Sequence, residues 1–116
     1  MVERPRLFNI NEEMRRWCAL LEEEVLAWPE VSSRPMFGMT SLYHGKNIFA
    51  AIPKTKAPET PRSLMIKLPG LKKKRLMSAS EPGKGWMTFE LASEEDIAEA
   101  IQLLEQAYEK NAPDSV

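Results

Sequence analysis

The stretch Arg34-Pro35-Met36-Phe37-Gly38-Met39-Thr40-Ser41-Leu42-Tyr43-His44-Gly45-Lys46-Asn47-Ile48-Phe49-Ala50-Ala51-Ile52 decides the fold. Met36 to Tyr43 reads as a strand interrupted at Gly38, whose missing side chain permits a bulge or the close approach of another backbone. His44-Gly45-Lys46-Asn47 reverses the chain, because Gly45 and Asn47 both tolerate positive φ. Residues 48–52 then return as the second arm of an antiparallel hairpin, closed by Pro53.

Upstream, Asn11 is suited to cap a helix, with Glu12 and Glu13 at the positive end of its dipole. Met14, Trp17, Cys18, Leu21, Val25 and Trp28 recur at three- and four-residue spacings and form one apolar face, while Glu22, Glu23 and Glu24 point outward. Pro29 ends this helix, since the residue before a proline is pushed out of the α region.

Downstream, residues 54–61 carry Pro58 and Pro61 among Lys, Thr and Glu, the composition of an exposed, mobile loop. In Ser63-Leu64-Met65-Ile66-Lys67-Leu68 strict alternation sends Leu64, Ile66 and Leu68 to one face. Lys72-Lys73-Lys74-Arg75-Leu76-Met77 is open between a helical turn, a loop and an edge strand. After the turn Glu81-Pro82-Gly83-Lys84-Gly85, Trp86-Met87-Thr88-Phe89-Glu90-Leu91 reads as a strand with Met87, Phe89 and Leu91 inward. Ser93 is the expected cap of a last helix with an apolar stripe of Ile97, Ala100, Ile101, Leu104, Ala107 and Tyr108.

The order is helix, four- or five-stranded antiparallel meander, helix. That order predicts an α+β fold of two layers, with both helices on one face of the sheet. With 116 residues the chain is the size of a single domain, and residues 1–10 and 111–116 are expected to be flexible ends. Cys18 is the only cysteine, so no internal disulfide is expected. Neither a signal core nor a spanning apolar stretch is read, and the expected location is cytoplasmic, with no membrane partner.

The formal charge of −1 hides a segregation along the chain: +1 over residues 1–10, −4 over 11–30, +2 over 31–53, +7 over 54–86 and −7 over 87–116. The middle attracts an anionic partner and the two helical ends repel it.

At Arg34-Pro35-Met36-Phe37-Gly38, with Leu42-Tyr43 and Gly45-Lys46 ahead of Ile48-Phe49-Ala50, the sequence resembles the TfoX N-terminal-domain family. Gly85-Trp86-Met87-Thr88 before Ser93, with a helix closing on Ala107-Tyr108-Glu109, is similar to the C-terminal half of the MmcQ/YjbR-like proteins. The resemblance implies a small α+β fold and a link to gene regulation, with DNA binding suggested for YjbR-like members. It brings no catalytic residues with it.

The chemistry-bearing residues support no catalytic constellation. Cys18 sits beside Trp17 and Leu21 on an apolar helix face, as a buried structural thiol would. His44, the only histidine, reads as a solvated turn residue without ligand spacing around it. Gly83-Lys84-Gly85 precedes a strand, not a helix, so it is a turn and not a phosphate loop. No metal site and no cofactor is expected. Trp17 and Trp28 belong to the core stripe.

Two sets of residues remain as candidates. The cations Lys72, Lys73, Lys74 and Arg75, with Lys84, are the nucleic-acid-binding candidates, which Lys54, Lys56 and Arg62 extend if the loops converge. Arg34, Tyr43 and Trp86 are candidates for a small anionic ligand, in a pocket expected between the helices and the hairpin. The leading expectation is a non-enzymatic binding or regulatory module for a protein or nucleic acid, with a homodimer as one form of it. The alternative is a small-ligand binder or enzyme.

Overall fold

The computed structural model describes residues 7–58, 60–68 and 85–113, and the backbone of 76–78. In order the elements are β1 (Phe8–Asn9), α1 (Glu12–Leu26), β2 (Val31–Met36), β3 (Met39–His44), β4 (Asn47–Pro53), β5 (Lys56–Ala57), β6 (Ser63–Lys67), β7 (Leu76–Ser78), β8 (Trp86–Glu90) and α2 (Asp96–Lys110). The α+β arrangement expected from the pattern is the one the chain forms. The main sheet has the order β2-β3-β4-β6-β8-β7 with every pair antiparallel, and β1 pairs with β5 beside it.

Both helices contact β4 and each other, forming one layer against the sheet. Asn11 caps α1 as expected, its Oδ1 accepting the Met14 amide at 2.8 Å. Met14, Trp17, Cys18, Leu21 and Val25 are buried on α1, and Ala100, Leu103, Leu104 and Ala107 on α2. They meet Leu42, Phe49, Ala50, Ile52, Leu64, Ile66 and Phe89 from the sheet. Each large side chain fully buried in this way is worth about 1.5–3 kcal/mol relative to exposure.

The chain departs from its local sequence pattern at several points. Met36 to Tyr43 is not one bulged strand: Phe37 and Gly38 are the two central residues of a hairpin turn between β2 and β3, both at positive φ, 49° and 77°. That geometry is the type I′ turn that suits the right-handed twist of paired strands. The preceding strand β2 lacks the alternation that marks a buried strand, because it is a sheet edge with exposed Ser32, Ser33, Arg34 and Pro35. Residues flanking a two-residue turn exchange hydrogen bonds, so the alternate position Pro35 faces the free edge, where its missing N–H costs nothing.

The order is also not a pure meander, since β8 inserts between β6 and β7. Residues 76 and 77, left open by the sequence, belong to the edge strand β7. The expected mobile loop contains β5, whose Ala57 is fully buried, and the supposed flexible N-terminal end contributes β1 and buried Ile10. At the start of α2 the N-cap position is Glu95, not Ser93, and its side chain makes no capping hydrogen bond; Asp96 Oδ2 instead accepts the amides of Ala92 and Ser93 at 2.7 and 3.0 Å, holding the chain that leads into the helix.

No helix among the described residues is long and apolar enough to cross a membrane.

Candidate functional site

In β3 the side chains of Leu42 and His44 turn to the helices, Leu42 into the core and His44 against Tyr108 of α2, so Tyr43 between them lies on the opposite face. Arg34 pairs with Ser41 and therefore shares that face with Tyr43. The two are diagonal neighbours across the β2–β3 pair, and the Arg34 guanidinium carbon stands 5.5 Å from the Tyr43 ring centroid. A cation over an aromatic face in partial exposure is worth about 0.5–1 kcal/mol. Among the described residues no carboxylate forms an ion pair with Arg34.

Trp86 pairs with Lys67 and falls on the same face, three interstrand steps from β3. At ~4.8 Å per step that is about 14 Å from Tyr43, so Arg34 and Tyr43 come together and Trp86 stands apart. This face lies away from the helices, not between helices and hairpin. On this face Ser41 and Ala51 are buried, at 1% and 0% exposure, and Met36, Tyr43 and Met65 are half-buried.

The basic candidates are distributed differently. Lys72, Lys73, Lys74, Arg75 and Lys84 lie outside the described residues. Arg62 is engaged with the helix layer: its Nη2 reaches Glu13 Oε1 at 3.2 Å and its guanidinium lies 5.4 Å from the Trp17 ring centroid. Lys56 donates to Asn9 Oδ1, joining β5 to β1. Lys54 is exposed in the β4–β5 connection.

Cys18 and His44 are both held in the packed structure. Burial, with the nearby Glu22 carboxylate adding to it, pushes the Cys18 thiol from its ordinary 9.0 up to about 12, which removes the thiolate that a nucleophile needs. His44 is not solvated: it is 8% exposed, its Nδ1–H donates to the Tyr108 carbonyl at 2.7 Å, and its ring stacks on Tyr108. The signal for this lay in the alternation Leu42-Tyr43-His44, which puts the histidine on the core face. No group of three or more His, Cys, Asp or Glu side chains among the described residues is placed to hold a metal ion.

These features define a two-layer α+β domain with an arginine–tyrosine pair on the outer face of its sheet. Comparison with protein-family models, with curated proteins and with solved structures finds no match for the chain.

Proposed function

We propose that the chain is a non-enzymatic, TfoX- or YjbR-like binding module, and that the sheet face bearing Arg34 and Tyr43 takes an anionic partner, nucleic acid first among them. The observation that carries this reading is the separation of charge between the two layers. Helix α1 has five acidic residues against two arginines and α2 has four against one lysine, while residues 31–53, which form β2, β3 and β4, contain Arg34 and Lys46 and no acidic residue. Such a field draws an anion to the sheet side and repels it from the helix side. Tyr43 beside Arg34 adds a flat surface on which a base stacks.

The cations at 72–75 and 84 extend this reading from the sequence alone. A small-anion pocket walled by Arg34, Tyr43 and Trp86 together has less support, because Trp86 stands apart from the other two.

Fluorescence anisotropy with labelled single-stranded DNA, single-stranded RNA and duplex DNA tests the proposal. Binding is expected at low salt and weakens steeply as salt rises. Arg34→Ser with Tyr43→Ala is expected to lower affinity about tenfold, from the loss of a cation and a stacking surface. Undetectable binding of all three probes at low salt, or affinity untouched by that double variant, rules the reading out.

A further inference from the structure

The β2–β3 turn holds a bulky aromatic where the backbone disfavours one. Phe37 has φ 49°, a conformation that Asn or Gly adopts readily and that costs a side chain like Phe about 1–2 kcal/mol. The residue is 67% exposed, so burial in the core does not offset that cost. The turn is nonetheless rigidly seated. The Gly38 carbonyl accepts from the backbone amides of Lys54, Thr55 and Lys56 at 3.0, 2.8 and 3.1 Å. An aromatic side chain presented from so fixed a base loses little freedom when a partner covers it.

Beside the turn lies a groove. Its apolar lining is Ala19 and Leu26 of α1, with Leu26 39% exposed, and Pro53 at the end of β4. Pro53 pairs with Met39, the residue after the turn, and the turn's Gly38 is bonded to the groove-lining Lys54 and Thr55. The turn that carries Phe37 and the groove therefore adjoin. The same groove is lined by both signs of charge, Arg15 and Lys54 together with the half-buried Glu22 and the exposed Glu23.

From this surface we infer that a second copy of the chain docks about a twofold axis, the Phe37 ring of each copy entering the Ala19–Leu26–Pro53 groove of the other. A twofold contact uses the same patch on both copies, so the patch must complement itself. A knob next to a hole meets that requirement in shape. A lining of mixed charge meets it in charge, because Lys54 of one copy faces Glu22 and Glu23 of the other, whereas a partner of a single charge leaves half of these charges unmatched. The inference is independent of the anion-binding reading, since it uses neither Tyr43 nor the cations of the sheet face.

Sedimentation velocity on the full chain over a series of rising concentrations tests it. A monomer–dimer equilibrium is expected. Phe37→Asn suits the turn backbone, so its melting temperature stays level or rises while the dimer dissociation constant increases about 30-fold, as for loss of a central anchor. Leu26→Ser in the groove lining is expected to act in the same direction. Lys54→Glu weakens association and Lys54→Glu combined with Glu22→Lys restores it. A monomer at every concentration overturns the inference, and so does a Phe37→Asn protein that associates as the wild type does.

Discussion

The imidazole of His44 lies parallel to the phenol ring of Tyr108, centroids 3.9 Å apart and planes 7° from each other, while its Nδ1–H donates to the Tyr108 backbone carbonyl. One residue thus closes the C-terminal end of α2 onto the β3–β4 hairpin. The Tyr108 hydroxyl continues the tie, donating to the Pro29 carbonyl at 2.7 Å, and Trp28 and Phe49 pack around the same ring. Asn111 completes it with its Nδ2 on the Lys67 carbonyl.

His44→Ala is expected to cost about 2–3 kcal/mol, from a lost hydrogen bond and a lost buried ring together. Tyr108→Phe keeps the stack and loses only the bond to Pro29, about 1 kcal/mol. Urea denaturation measures both. Equal costs for the two variants would show that the stack contributes nothing.

Gly38→Ala is expected to destabilise by about 1–3 kcal/mol. A methyl group there meets Lys56 Cγ at 2.5 Å and Thr55 Oγ1 at 2.9 Å, and φ of 77° is unfavourable for any side chain. Gly45→Ala, also at positive φ but with its nearest neighbour Pro113 at 3.0 Å, is expected to cost less. Thermal melts of the two variants give the order, and the reverse order contradicts the close approach at Gly38.

Cys18 is expected to resist alkylation by iodoacetamide at pH 8 in the native protein and to react once urea unfolds it, because the folded thiol stays protonated. The same shift makes stability depend on alkaline pH. With the folded value at about 12 and the ordinary one at 9.0, the unfolded chain releases this proton first, so the contribution is complete below pH 9.0 and is lost as pH rises toward 12. Cys18→Ala should flatten that part of the stability curve; an unchanged slope assigns it to other groups.

Glu13→Gln is expected to cost only ~0.2–1 kcal/mol, since the Glu13–Arg62 pair is exposed to solvent at 47% and 34% and is screened by salt. Arg62→Ala should cost more, because it also removes the guanidinium from the Trp17 face and the side chain's apolar stem from the surface it covers. Guanidinium chloride is itself a salt, so urea titrations at two ionic strengths are the appropriate measurement. A strong salt dependence of the Arg62→Ala cost would place its origin in the ion pair instead of the stack.

What the sequence determined by itself was whatever depends on local periodicity. The three- and four-residue spacing from Met14 to Val25 and the alternation from Ser63 to Leu68 are fixed by the geometry of helix and strand, and they specify the two layers and their facing sides. Neighbours in the chain cannot report distant partners, and there the tertiary structure decided. Gly38 looked like an interruption within a strand because the three amides that hold its carbonyl come from residues 54–56. His44 looked solvated because Tyr108, which covers it, is 64 residues away. The face that Arg34 and Tyr43 share, away from the helices, is set by the register of an edge strand that carries no alternation, since an edge buries too little of either face to impose one.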